Sequence, residues 1–174
     1  QFPHVIAVDG KQPRNVIRDT PFGDQMLLEL ARDAITATHM GADDVSDLLL
    51  VGISGGDYAG HRYGPDSVEI HDYFLRLDEQ LGTFVDELDQ QFGEDYVLIL
   101  TSDHGDSLGD DGRWGHGFTV FPEVMRIPLI VHVPSSLRAR LETDLAGVAF
   151  ATDITPTLYA LAGETPADLG PQFG

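Results

Sequence analysis

The chain predicts an α/β fold, a largely parallel sheet flanked by helices, on three observations. Short apolar runs alternate with stretches of helical periodicity, the order expected of strands and helices in turn. Two of the runs, 47–53 and 96–101, are apolar almost throughout, as strands covered on both faces are. Both lead into glycine-containing segments that carry Asp and His, and in open α/β sheets sites form beyond the carboxyl ends of strands.

Each element has its own signal. Val5-Ile6-Ala7-Val8 reads as a strand closed by a turn at Asp9-Gly10. From Asp24 to about His39, the residues Met26, Leu27, Leu30, Ala31, Ala34 and Ile35 recur at helical spacing, and Gly41 is placed to stop that helix. The run 47–53 is the second strand. A long helix follows over about 66–91, opened by Pro65, Asp66 and Ser67 and ended by Gly93. Its apolar face is Ile70, Tyr73, Phe74, Leu77, Leu81, Phe84, Val85 and Leu88. Strands follow at 96–101 and 127–134, the latter with Pro128 near its start. A last helix spans about 153–162, with Thr152 or Asp153 as cap and Gly163 as stop.

Composition narrows the function classes. The 174 residues suit a single segment of one domain with a sizeable core. No apolar stretch reaches the ~18–20 residues that span a bilayer. Acidic residues number 29 against 10 basic ones, a formal charge of −19, and Lys11 is the only lysine. Such a surface repels nucleic acid phosphates and anionic lipid, so neither is expected as a partner. Salt adaptation or bound divalent cations would each account for the excess charge. With no cysteine, disulfides, thiolate metal sites and a cysteine nucleophile are excluded within the chain.

The chemistry-bearing residues lie in three segments. Asp57 and His61 stand four apart in Gly56-Asp57-Tyr58-Ala59-Gly60-His61, so one helical turn would bring both to one face. Asp103 and His104 follow the strand 96–101 and precede Gly105, whose turn lets adjacent side chains converge or face neighbouring ions. His116 lies between two glycines, which let the backbone approach an ion closely. Either pair alone would read as a capping Asp and a hydrogen-bonded loop His. Together the segments supply two Asp and three His, ligand chemistry for one or two zinc-like ions. Arg113 is a candidate clamp for an anionic oxygen. Trp114 reads as loop packing, His71 as solvated, and His4, His39 and His132 as structural. Asp106, Asp110 and Asp111 read as a solvated loop.

These motifs resemble the alkaline phosphatase superfamily, which includes sulfatases, phosphodiesterases and phosphoethanolamine transferases. The segment from Gly56 to Pro65 resembles the D-x-x-x-H metal motif of its phosphatase branch. Thr101-Ser102-Asp103-His104-Gly105 resembles the D-H-G motif of sulfatase-like members, and Gly115-His116-Gly117 a downstream H-G of the phosphoethanolamine transferases. The segments Arg126 to Val131 and Thr152 to Leu158 resemble the sulfatase-like strand and final helix, in family order. The resemblance implies the C-terminal half of an alkaline-phosphatase-like domain. It implies that Asp57, His61 and His116 hold one zinc, and that Asp103 and His104 hold a second; calcium or manganese are the alternative ions. Such ions polarise a phosphoryl oxygen and activate the attacking and leaving oxygens.

The family's nucleophile and first metal carboxylate belong to its N-terminal half, and no segment here matches them. The expected partner is therefore that N-terminal half, as a separate chain or fragment, and the end at Gly174 is expected to be a truncation. The expected activity is hydrolysis of a phosphate ester through a covalent intermediate on a nucleophile outside this chain. A sulfatase, a phosphoethanolamine transferase and a non-enzymatic metal-binding fragment are the alternatives. A periplasmic or secreted location follows from the resemblance alone.

Overall fold

The computed structural model describes residues 17–138 and 147–165. The strand expected at Val5–Val8, with His4 and Lys11, lies outside them. The described residues group into two compact units, one of residues up to Ala42 with Leu48–Gly93, the other of Asp43–Asp47 with residues from Glu94 onward.

The first unit is helical. Helix α1 is Pro21–Thr38, α2 is Gly55–Tyr63 and α3 is Val68–Phe92. Helix α1 begins one turn before the apolar pattern does, because Pro21 occupies its first position with φ already suited to a helix. It ends at His39, which adopts φ 57°, and Gly41 follows at φ 74° against the Phe92 ring. The α1 residues Leu28, Ala31 and Ile35 are buried against Phe84, Leu81 and Leu88 of α3. Each fully buried large side chain contributes about 1.5–3 kcal/mol. Arg32 and Glu87 form an ion pair between the same two helices. Helix α3 opens where Ser67 Oγ accepts from the Ile70 N–H at 3.2 Å and closes at Gly93, φ 61°.

Helix α2 is held at both ends. At its start, Asp24 of α1 accepts from the Gly55 N–H and from Tyr73 Oη. The Asp24 carboxylate and the Tyr73 hydroxyl stand where a Cβ on Gly55 would fall, so a larger residue there would displace them. At its end, Arg62 donates to Asp19 at 3.0 Å. Ala59 packs under Ile70 and Tyr73 of α3. Burial pushes the Asp24 carboxyl up to about 6, and the Gly55 bond pulls partly the other way.

The strand expected over 47–53 does not form. The segment is irregular, with Leu48 and Leu50 at 67% and 88% exposure, while Val51 and Ile53 pack on the α1–α3 core. A strand exists only as part of a ladder. Among the described residues none pairs with this run.

In the second unit, β1 (Leu98–Thr101) pairs with β4 (Leu129–His132), Leu98 opposite His132 and Thr101 opposite Leu129. Between them lie a short ribbon, β2 (Ser107–Leu108) with β3 (Trp114–Gly115), and a single helical turn α4 (Pro122–Met125). Beyond β4 come α5 (Ser135–Arg138), a 3-10 turn at Ala151–Asp153 and α6 (Ile154–Leu161). The Asp153 carboxylate accepts from the Phe150 N–H at 2.8 Å instead of capping α6.

Both described sheets are two-stranded and antiparallel, which corrects the expectation of a largely parallel sheet for these residues. Parallel neighbours need a crossover, usually a helix. The connection from β1 to β4 holds a ribbon, a 3-10 turn at Asp110–Gly112 and one helical turn but no long helix, so β4 returns beside β1 in the opposite sense.

Gly105 sets the local geometry of this unit. Its N–H donates to the Val124 carbonyl at 2.7 Å, and a Cβ here would run into the Glu123 carbonyl oxygen. Gly105→Ala is expected to destabilise the chain by about 1–3 kcal/mol, as overpacking does. Gly82→Ala, inside α3 with open space around it, should stabilise by about 0.5–1 kcal/mol. Urea midpoints check both, and equal shifts of one sign would refute the contrast.

A second prediction concerns Asp24, whose folded pKa is raised to about 6. Between about pH 4 and 6 the native state keeps a proton that the unfolded chain has released, so this group's contribution falls as pH rises through that window. Asp24→Asn is expected to flatten the fall and to raise stability near pH 7 by about 1–2 kcal/mol. Urea titrations of both proteins across the window check it; an unchanged slope would sink the idea.

Candidate functional site

In the helical unit, α2 carries Asp57 in its first turn and His61 in its last. The helix delivers the one-face arrangement that the four-residue spacing predicts, with Asp57 Oδ1 and His61 Nε2 3.3 Å apart. Two donors on one tetrahedral ion, with bonds of about 2.0–2.1 Å, sit roughly that far apart. Both side chains are open to solvent. The anchors of α2 were not found from sequence. Asp19 and Asp24 carry no mark of that role in the sequence, yet both are buried and paired. The available signal was Tyr73, a hydroxyl inside an apolar face that needs a partner.

In the second unit, β1 ends at Thr101 and the chain turns at once. Ser102 Oγ donates to the His104 carbonyl at 2.6 Å, and the Asp103 carboxylate accepts from the His104 N–H at 3.1 Å. Asp103 Oδ1 lies 3.8 Å from His104 Nε2. His104 Nδ1 is 3.0 Å from the Gly105 carbonyl. A carbonyl only accepts, so that nitrogen carries the proton and Nε2 keeps the lone pair, the arrangement of a metal-binding imidazole.

His116 is brought to the same place by the β2–β3 ribbon. Its ring stacks on that of His104 with centroids 3.9 Å apart and planes 29° apart. Its Nδ1 lies 3.6 Å from Asp106 Oδ1, beyond hydrogen-bond reach, and Asp106 stays exposed in its loop. Within the helical unit Asp57 thus lies with His61, and within the second unit His104 lies with Asp103 and His116.

Arg113 is engaged within the protein. Its Nε and Nη2 donate to Glu123 Oε1 at 3.1 and 3.0 Å, its Nη1 pairs with Asp111 at 3.1 Å, and it lies over the Phe121 ring. Glu123 also accepts from Ser107 Oγ at 3.0 Å. Its carboxyl is held below the usual range by its own backbone N–H first, then by Arg113 and Ser107. Glu123 was invisible to sequence reading, since nothing in Phe121-Pro122-Glu123-Val124 marks a ligand-loop partner. Trp114 is exposed and covers Gly109, and His132 stacks on Tyr96.

The Asp and His donors suit zinc or a similar divalent ion. Among the described residues, no helix is long and apolar enough to cross a membrane.

Comparison with known proteins gives one family. Residues 9–134 match the model of the type I phosphodiesterase / nucleotide pyrophosphatase family. Alkaline phosphatase PafA of Elizabethkingia meningoseptica is 42% identical over 106 residues, which are 60% of this chain and 19% of that protein. Alkaline phosphatase PhoV of Synechococcus elongatus is 39% identical over 105 residues, 60% of this chain and 19% of the relative. A crystal structure of a PafA variant superposes with a TM-score of 0.52 at 42% identity, over 54% of this chain and 18% of that one. The matched stretch is therefore about a fifth of the length of these relatives, and the likeness is consistent with an α/β alkaline-phosphatase-like fold. With the match covering most of its length, the chain belongs to the type I phosphodiesterase / nucleotide pyrophosphatase family, within the alkaline phosphatase superfamily.

Proposed function

We propose that this chain carries the metal-binding part of a phosphate-ester hydrolase, a phosphomonoesterase or phosphodiesterase. It acts with two divalent ions, zinc first among them, and a covalent intermediate on a nucleophile outside this chain. The observation that carries the reading is the stacked pair His104 and His116, twelve residues apart in sequence, with the His104 proton fixed on Nδ1. In this reading Asp57, His61 and His116 hold one ion, and Asp103 with His104 holds the other. The N-terminal half of the protein is the proposed partner, and a periplasmic or secreted location is proposed with it.

The donors fit such ions. His104 presents Nε2 because Nδ1 is committed to Gly105. The Asp106 carboxylate stands near His116, and Asp57 with His61 has the donor spacing of one shell. When bound, the ions supply Lewis acidity at the phosphoryl group and at the oxygens entering and leaving it. Arg113 keeps Nε and Nη2 on Glu123, which leaves Nη1 to exchange the exposed Asp111 for a substrate oxygen. Surface ion pairs of that kind are weak, so the exchange costs little.

The test is metal analysis and turnover of the chain co-expressed with its N-terminal half. About two zinc ions per complex are expected, with hydrolysis of p-nitrophenyl phosphate or its bis ester. Chelation should abolish turnover and added zinc restore it. His104→Ala is expected to lower zinc affinity by roughly 100-fold or more, beyond the 10–100-fold of an outer-shell change. Turnover of p-nitrophenyl sulfate alone would replace this reading with a sulfatase, and absence of metal would leave a binding fragment.

A further inference from the structure

We infer that Glu123 is a positioning residue for the His104–His116 pair, tying together the two loops that carry these rings. The inference rests on the metal-hydrolase reading above. Ser107 stands three residues after His104, and Arg113 three residues before His116. One oxygen, Glu123 Oε1, accepts from Ser107 Oγ and from two nitrogens of Arg113. It therefore spans the gap between the strand-end turn and the downstream loop.

The ribbon does not hold that gap by itself. It has two residues per strand, Ser107 opposite Gly115 and Leu108 opposite Trp114. Even longer isolated hairpins are marginal in water. The α4 turn supplies the missing support at three points. Val124 takes the Gly105 N–H, Glu123 takes both side chains, and Phe121 lies beneath the Arg113 guanidinium at 4.0 Å. Ser107 is 1% exposed, so its hydroxyl has lost water and depends on that carboxylate. A stack of two imidazoles has little attraction of its own to hold it. Release of the tie would let His116 swing from His104 while β1–β4 stayed paired.

The experiment compares the full chain with Glu123→Ala, Glu123→Gln and Glu94→Ala. Glu94 is a matched control, since it accepts from Ser135 within the same unit and touches neither ligand loop. Two readouts are needed, imidazole proton NOEs between His104 and His116 without metal, and zinc affinity by chelator competition. The NOEs are expected to vanish in Glu123→Ala, to return in Glu123→Gln and to persist in Glu94→Ala. Zinc affinity should fall about 10–100-fold in the first variant and largely recover in the second. Undiminished NOEs and affinity in Glu123→Ala would overturn the inference. If the unaltered chain binds no zinc, the hydrolase reading fails instead, while the NOEs still decide what Glu123 does. Should Glu123→Ala not fold, Ser107→Ala applies the same two readouts with one donor removed, and unchanged NOEs there would count against the tie.

Discussion

The approach of two backbones at Gly105 governs the histidine-bearing unit. The Gly105 N–H reaches the Val124 carbonyl, and the Glu123 carbonyl fills the place of an absent side chain. That contact fixes α4 against the turn which follows β1. Once α4 is there, the Glu123 carboxylate is within reach of Ser107 and Arg113. Once those are held, the ribbon has a defined register and His116 lies on His104. A short chain of contacts thus runs from one glycine to the two imidazoles. The D-H-G sequence accordingly needs its glycine for space, as Gly105 does not use a positive φ.

The helical unit solves the same problem differently. Asp57 and His61 need only a helix to share a face, and the difficulty is to start a nine-residue helix at a chosen place. Isolated helices of that length are unstable. Here Gly55 is pinned by Asp24 and Tyr73, and Arg62 by Asp19. The tie at Asp24 is a buried carboxyl whose pKa has risen to about 6, so its desolvation works against stability at neutral pH. A residue that costs stability while fixing the first turn of α2 belongs with placement of Asp57, not with packing. In both units, then, carboxylates that are not proposed ligands place the residues that are.

The sequence is legible where one element decides its own geometry. Helix α3 follows from an eight-residue apolar face with Ser67 before it and Gly93 after it. Asp57 and His61 meet because four-residue spacing on a helix suffices. Legibility fails where a second segment decides. The 47–53 run has the composition of a buried strand, but composition does not supply a neighbour to pair with. The sense of β4 depends on what connects it to β1, and a 27-residue excursion without a long helix permits the antiparallel return. Arg113 carries no mark of its partner, because Glu123 lies ten residues away on a turn of its own. Asp106 was set aside with its acidic neighbours, although only Asp106 of the three lies beside an imidazole among the described ion pairs.

Two deficits in this chain have one remedy under the proposed reading. The first is chemical, since the proposed nucleophile lies outside this chain. The second is physical, since apolar side chains built for burial stand in solvent. Leu48 and Leu50 are 67% and 88% exposed in a run that also packs Val51 and Ile53 inward, and Phe118 and Val120 are exposed beside the His116 loop. Clustered exposed apolar groups mark surfaces that bind protein. Solubility or salt adaptation explains acidic excess but gives no reason for exposed leucine and phenylalanine. A polypeptide that laddered onto 47–53 would cover Leu48 and Leu50 and complete a sheet there. The same polypeptide, as the proposed N-terminal half, would bring the nucleophile. Catalysis and burial would then be completed in one association, and the ligand loops described here would need no rearrangement for it, because each is already tied within its own unit by Glu123 or Asp24.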